Sequence, residues 1–164
     1  MLGRCFEAQN EPTRALEHYE ALRRMLPDTR AIARICELLA ELGTDHARLE
    51  RELSQWSSLD RLSPEAPRPR FLRGKSLVVG RQGVAIEGLE LLSGLWDQRQ
   101  QIASVVAGAD LGLVYGSALL RRGDRADRER IRSVFEASLE LEQDALRRDL
   151  LRALLNLSRW LDNE

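Results

Sequence analysis

Apolar residues recur three or four positions apart along most of this chain, which is the spacing that places side chains on one face of an α-helix. One such stripe consists of Ile32, Ile35, Cys36 and Leu39, and the next of Leu49, Leu53 and Trp56. Between them Gly43 breaks the helical pattern, and either Thr44 or Asp45 can cap the second helix. The repetition of this unit predicts an all-α fold made of antiparallel helix pairs.

The charge pattern limits the classes of partner. Of the 164 residues 43% are hydrophobic and 31% are charged, and the formal net charge is −1. The basic residues are almost all arginines, Lys75 being the only lysine, and they alternate with acidic residues along the predicted helices. A nucleic-acid-binding surface needs clustered, uncompensated positive charge. We therefore expect no nucleic-acid partner.

The first helix pair carries a more specific signature. Its fixed positions are Leu2, Gly3, Phe6, Ala15, Tyr19, Leu22 and Pro27. These residues and their spacing resemble the tetratricopeptide repeat (TPR) family, in which two helices pair and a proline closes the repeat. Gly3 admits a close neighbouring helix, Ala15 is small where the helices cross, and Pro27 ends the second helix. Pro12 suits the first turn of the second helix, because the N–H group that proline lacks would have no acceptor within the helix at that position.

The signature returns in weaker form 34 residues further on. Apolar residues again occupy the equivalent positions, which are Cys36, Ala40, Leu49, Leu53 and Trp56. Glu37 and Arg61 replace the glycine and the proline. Beyond residue 60 only Leu111, Gly112 and Tyr115 repeat the first-helix signature. The resemblance implies a right-handed α-α superhelix, a TPR-like solenoid with a C-terminal capping helix.

The N-terminal part divides into two predicted segments. Residues 1–60 form two TPR-type helix pairs, the first of which lacks its opening turn, so we expect a fragment of a larger bacterial protein. Residues 61–70 form a loop, because Pro64, Pro67 and Pro69 oppose a continuous helix. A boundary between two sub-arrays is the alternative interpretation of these prolines.

The C-terminal part also divides into two. Residues 71–142 form degenerate helix pairs, with a close-packed core helix running from Ile102 to Arg122. It is not expected to span a membrane, because Asp110 would cost about 3 kcal/mol at the centre of the bilayer. Residues 143–164 form the capping helix, with a polar outer face. Its predicted inward residues are Leu146, Leu150, Ala153, Leu154, Leu157 and Leu161.

No arrangement of residues points to catalysis, a cofactor or a metal. The only histidines, His18 and His46, have no Cys or carboxylate partner at metal-ligand spacing and are interpreted as helix-surface residues. Gly74, Gly80 and Gly83 lack the strand and the Gly-Lys-Ser/Thr sequence of a phosphate loop. The three tryptophans are interpreted as packing anchors, and they are Trp56, Trp96 and Trp160.

The two cysteines, Cys5 and Cys36, both fall in predicted helices among apolar residues. Two cysteines do not make a disulfide framework, and cysteine often serves as a small buried hydrophobe. We therefore expect both to be buried and reduced, which favours a cytoplasmic location.

The TPR resemblance also implies a binding surface, namely a concave groove lined by the first helix of each pair. The candidate partner-binding residues are Arg4, Glu7, Arg34, Leu38, Glu41 and Leu42, followed by Leu113, Gly116 and Ser117. Chaperone-binding TPR proteins hold a terminal carboxylate with a basic and asparagine clamp. Arg4 and Leu38 stand at the matching asparagine positions here, so an internal protein segment is the expected ligand. Arg34 and Leu38 are predicted to lie off the core stripe.

Two functions remain open at this point. The first is a non-catalytic scaffold that binds a peptide or helix segment of another protein in the groove. The alternative is a regulatory module that dimerises through its C-terminal half and controls an attached effector or transcription domain. Neither requires a cofactor or insertion into a membrane.

Overall fold

The computed structural model of the chain describes residues 2–25, 28–80 and 83–161. Within these ranges every regular element is helical. The α-helices are α1 (Leu2–Ala8), α2 (Pro12–Met25), α3 (Thr29–Leu42), α4 (His46–Asp60), α5 (Pro67–Val79), α6 (Ile86–Asp97), α7 (Gly108–Arg122), α8 (Arg128–Leu141) and α9 (Ala145–Leu161). A single 3-10 turn, Arg125–Asp127, precedes α8. The all-α prediction is confirmed, whereas the predicted role of Pro27 lies outside the described residues.

Helices that are consecutive in the sequence pack against each other along the whole array. In addition, α3 packs on α5, α5 on α7, and α7 on α9. The odd-numbered helices from α3 to α9 therefore form a row, and the even-numbered helices α2, α4, α6 and α8 each lie against the odd-numbered helices that precede and follow them.

The predicted core of the first half is confirmed. Its apolar stripes on α3 and α4 are all buried, as are Ala15 and Tyr19 on α2. Gly3 permits the close contact of α1 with α2, because a Cβ atom there would lie 2.7 Å from the Tyr19 ring. Of the two candidate caps for α4 the structure selects Asp45, whose side chain accepts a hydrogen bond from the backbone N–H of Arg48 at 2.8 Å.

The proline-rich segment differs from the predicted loop over 61–70. Helix α5 already begins at Pro67, so Pro67 and Pro69 lie in its first turn. The first four N–H groups of a helix have no intrahelical acceptor, and prolines there remove no hydrogen bond. The density of prolines therefore marks the start of a helix and not its absence.

The predicted core helix from Ile102 to Arg122 begins earlier in the sequence than the helix that the structure has. Residues 98–107 form a series of turns, and α7 begins at Gly108 after Ala107 takes an extended conformation. Ile102 and Val106 are buried and anchor these turns in the core, with the backbone N–H of Val106 donating to the Ile102 carbonyl at 2.9 Å. In the described ranges no helix is both long and apolar enough to cross a membrane.

The register predicted for α9 is wrong. Its residues that face the core are Leu151, Leu155 and Ser158, whereas Leu146, Leu150, Ala153 and Leu157 are exposed. Leu154 and Leu161 are half-buried. Trp56 and Trp96 are packing anchors as predicted, but Trp160 is exposed on α9. The periodicity misleads because α9 has apolar residues on two faces, and either face fits a helical spacing.

The two cysteines have different environments. Cys36 is buried, and this burial, together with the nearby carboxylates of Glu52 and Glu37, raises the pKa of its thiol to about 12. Cys5 is exposed on α1, so the prediction that it is buried is wrong. Neither cysteine forms a disulfide in the structure.

The burial of Ala15 on α2, which packs on both α1 and α3, gives the first testable prediction. Ala15 is fully buried, so Ala15→Leu should overpack the site and lower the free energy of unfolding by about 1–3 kcal/mol. Ala47→Leu, on an exposed position of α4, is the matched control and should change stability by less than about 0.5 kcal/mol. Urea denaturation measures both values, and equal stability of the two variants would contradict the packing described here.

The second prediction concerns thiol reactivity. The thiolate is the reactive form of cysteine, so the exposed Cys5 should react with a maleimide at pH 7.5 while Cys36, with its raised pKa and its burial, stays protected. Mass spectrometry of the native protein should show one modification, and of the urea-unfolded protein two. Rapid double modification under native conditions would mean that the α3–α4 core opens readily.

Candidate functional site

The principal candidate site is a groove of about 650 Å³ on the face formed by the row of odd-numbered helices. We call it the central groove. Its lining residues come from α3, α5, the turns after α6, α7 and α9, and they are Arg34, Glu37, Glu41, Arg68, Phe71, Leu72, Lys75, Ala103, Ser104, Val105, Val106, Ala107, Asp110, Leu113, Val114 and Arg147. The groove therefore crosses four helices that are far apart in the sequence.

A smaller hollow of about 320 Å³ adjoins the central groove and shares Arg34 and Glu41 with it. We call it the α1–α3 hollow. Five of the six residues predicted from the sequence surround it, and they are Glu7, Arg34, Leu38, Glu41 and Leu42. The structure thus brings most of the predicted set together. Arg4 is exposed on α1 and is not among the residues around either depression.

Two further parts of the predicted set need correction. Leu38 is only 2% exposed and belongs to the core, so the prediction that it lies off the core stripe is wrong. Leu113 does line the central groove, but Gly116 is buried against the ring of Phe135 on α8. Ser117 is half-buried and is not among the groove residues.

A row of ion pairs joins the first three odd-numbered helices. Arg34 on α3 donates to Glu7 on α1 and to Glu37 within its own helix. Glu37 also accepts from Arg68 on α5. One turn further along, Lys75 on α5 lies 3.4 Å from Glu41 on α3. These contacts fix α1, α3 and α5 relative to one another at one end of the groove.

Glu7 and Arg34 shift each other's proton affinity. Burial acts to raise the pKa of the Glu7 carboxyl, but hydrogen bonds from Arg34 and Tyr19 lower it below its ordinary value of 4.5. Burial likewise acts to lower the pKa of the Arg34 guanidinium, but the carboxylates of Glu7 and Glu37 raise it well above its usual range. Each group thus holds the other in its charged form at neutral pH.

The opposite end of the groove has its own ion pair. Arg147 on α9 donates to Asp110 on α7 and lies with its Nε atom 3.1 Å from Glu142 Oε2. Burial acts to lower the pKa of Arg147, but Asp110 and Glu142 raise it. At this end of the groove, as at the other, the charged side chains are therefore paired with opposite charges of the same chain.

Between the two charged ends the groove is apolar. Phe71 of α5, Leu113 and Val114 of α7, and Val105 from the turns after α6 line this part, and all except Val105 are half-buried. Val105 is 47% exposed, although its neighbours Ile102 and Val106 are buried. We call these four residues the apolar centre. Sequence reasoning missed it because residues 102–107 were assigned to a core helix, which hides the outward direction of Val105.

The chemistry that the groove offers is apolar contact together with arginine, lysine and carboxylate groups. His18 and His46 are not among its lining residues. His46 lies near Ser76, with 3.3 Å between Nδ1 and Oγ, and His18 packs at the edges of Phe6 and Tyr19. Across the described ranges no group of three or more His, Cys, Asp or Glu residues is arranged to hold a metal ion.

Comparisons of the chain with protein-family models, with curated proteins and with solved structures find no match in any of the three. The resemblance of residues 1–60 to tetratricopeptide repeats therefore stays a prediction.

The Glu7–Arg34 pair generates a pH-dependent prediction. A carboxylate whose pKa is lowered in the folded state stabilises the fold above its unfolded-state pKa, and this contribution disappears as the pH falls through the folded-state pKa. Glu7→Gln should lower the free energy of unfolding by up to about 1 kcal/mol at neutral pH. The difference from the wild type should shrink as the pH is lowered from about 5 to about 2.

Urea denaturation at a series of pH values measures this difference. Glu17→Gln, an exposed substitution on the neighbouring helix α2, controls for the general loss of one negative charge. Glu7→Gln could instead lose the same free energy of unfolding at every pH, or Glu17→Gln could lose as much. Either result would show that the ion pair does not stabilise the attachment of α1.

Proposed function

We propose that this chain is a non-catalytic interaction scaffold that binds an internal segment of a partner protein in the central groove. The observation that carries the proposal is the apolar centre, because Val105 is half-exposed in a groove whose two ends are charged. A partner segment with an apolar side chain between polar or charged residues matches this arrangement of an apolar centre between two charged ends.

The distribution of polar and apolar groups sets the expected source of affinity. The basic residues around the apolar centre already have carboxylate partners in the chain, so partner contacts to them exchange one ion pair for another and add little. Burial of apolar surface gains about 25 cal/mol per Å². The apolar centre should therefore supply most of the affinity, and the charged ends should orient the segment.

The TPR resemblance supports the same function. In a TPR-like stack the first helices of successive pairs lie side by side and form the concave surface, and the contacts of α3 with α5 and of α5 with α7 are compatible with that organisation. We therefore keep the right-handed superhelix as part of the proposal. The burial of Leu38 at a position that matches a clamp asparagine favours an internal segment over a terminal carboxylate.

A reducing compartment, and hence the cytoplasm, is the location we propose. Its support is that neither cysteine is paired and that Cys36 is buried as a free thiol.

The alternative proposal is a regulatory module that dimerises and controls an attached domain. One observation favours it, namely the apolar residues exposed along α9. The two functions are not exclusive, because α9 exposes these residues on a face other than the one that carries Arg147 into the groove.

The groove proposal is tested with peptides selected on the purified chain from a random peptide-display library. Val105→Glu places a carboxylate in the apolar centre at a half-exposed position. The affinity of the selected peptides for this variant should therefore be at least about tenfold lower. The matched control is Ile86→Glu, which makes the same kind of change at an exposed apolar residue that does not line the groove. Fluorescence anisotropy of labelled peptides measures the affinities.

The melting temperature of each variant shows whether it is folded before binding is compared. Peptides that bind Val105→Glu as tightly as the wild type would place the binding surface elsewhere. Failure to select any peptide that depends on the apolar centre would likewise count against a groove that takes extended segments.

A further inference from the structure

The last helix exposes an apolar face that no other part of the described chain covers. Its residues are Leu146, Leu150, Ala153, Leu157 and Trp160, which we call the α9 stripe. Of the four large side chains, Leu146 is 79% exposed, Trp160 55%, Leu150 47% and Leu157 44%. The opposite face of α9 is packed in the core through Leu151 and Leu155. A helix that is apolar on both faces normally has a neighbour on each side.

The spacing within the stripe identifies the kind of neighbour. Its residues are separated by four, three, four and three positions, which is the heptad spacing of helices that pack along a common seam. The stripe extends over about 21 Å of helix. Another helix with the same spacing is the complementary surface, and the α9 stripe of a second copy meets this requirement.

The position of α9 in the array leads to the same partner. Each of α3, α5 and α7 lies between the even-numbered helix that precedes it and the one that follows it. Helix α9 packs on α8 and, along the row, on α7. In the part of the chain that the structure describes, no helix lies on α9 at the side where the earlier odd-numbered helices meet their following partner, and a second α9 can occupy that side.

The charges along α9 do not oppose self-association. Arg147 pairs with Asp110, Arg152 with Asp149 at 2.8 Å, and Arg159 with Glu136 at 2.9 Å. Arg148, the fourth arginine of α9, donates to the backbone carbonyl of Glu142 at 3.5 Å. Because three of the four guanidinium groups pair with a carboxylate of their own copy and none of the four belongs to the α9 stripe, two α9 helices bring little uncompensated positive charge together. Apolar contact then determines the interaction.

The exposed area is sufficient for a specific, modest interface. The exposed fractions of the stripe correspond to about 500 Å² on one copy, which is in the upper part of the range for the largest apolar patch on a monomer. Two copies that cover the whole stripe would bury at most about 1,000 Å² in total, which is the lower limit for a specific interface.

From these observations we infer that the chain forms a symmetric dimer in which the α9 stripes of two copies pack against each other across a two-fold axis. The interface is isologous, so each stripe residue contributes twice. The α9 stripe and the apolar centre of the central groove share no residue, because Val105 and the other residues of that centre come from α5, α7 and the turns before α7.

Sedimentation equilibrium tests the inference on the full chain. From about 1 µM to about 100 µM the wild type should pass towards twice the 18.7 kDa mass of one chain. Leu150→Glu/Leu157→Glu places four carboxylates in the seam of the dimer and should weaken association at least about 100-fold. The matched control is Leu59→Glu/Ile86→Glu, two exposed apolar residues on α4 and α6, which should dimerise as the wild type does.

A wild type that stays at 18.7 kDa throughout overturns the proposal, and the stripe then belongs to a different partner. Dimerisation that survives in folded Leu150→Glu/Leu157→Glu overturns it as well, because another surface is then the interface. Circular dichroism establishes whether that variant is folded.

A second measurement decides the matter if the double variant does not fold. In a Cys5→Ser background, Ala153→Cys puts one exposed thiol at the middle of the stripe, and Leu59→Cys puts one on α4 as the control. A short bis-maleimide should link two copies through Ala153→Cys and not through Leu59→Cys. Equal cross-linking of the two variants, or none in either, contradicts a two-fold axis at the α9 stripe.

Discussion

The close contact of α7 with α8 determines where one wall of the groove stands. Gly112 and Gly116 lie one turn apart on α7, and a Cβ atom at position 112 would come within 1.7 Å of Ser138 Oγ. At position 116 it would lie 2.6 Å from the Phe135 ring. Helix α7 can be this near to α8 only because these two positions have no side chain. The neighbouring residues Leu113 and Val114 are thereby turned towards the groove.

Sequence reasoning succeeds on α4, where the predicted apolar stripe is the buried face. It places too few residues in the core of α3, because α3 packs on α2, α4 and α5 together, so that Leu38 is buried as well as Leu39. It assigns α9 the wrong face for the opposite reason, since two apolar faces are present and periodicity cannot rank them. The number and position of neighbouring helices decide both cases, and these are long-range properties of the fold.

The candidate site was predictable to a similar extent. The acidic and basic residues of α1 and α3 could be assigned to one surface only through what the TPR resemblance implies, and the structure brings Glu7, Arg34 and Glu41 together around the α1–α3 hollow. The apolar centre could not, because it joins Phe71, Val105 and Leu113 from three separate segments. Val105 in particular depends on the chain leaving α6 in turns, with Ile102 and Val106 anchored in the core while the side chain between them points outward.

Helix α9 belongs to both proposed surfaces, and this has a physical consequence. Arg147 reaches Asp110 at one end of the central groove, while Leu146 and Leu150 on either side of it belong to the exposed stripe. A second copy that packs on the stripe restricts the first turn of α9, and with it the position of the Arg147 guanidinium. A ligand that competes for Asp110 acts on the same turn from the other side. The Arg147–Asp110 pair is therefore one route by which dimer formation and groove binding can affect each other, beside the packing of α9 on α7.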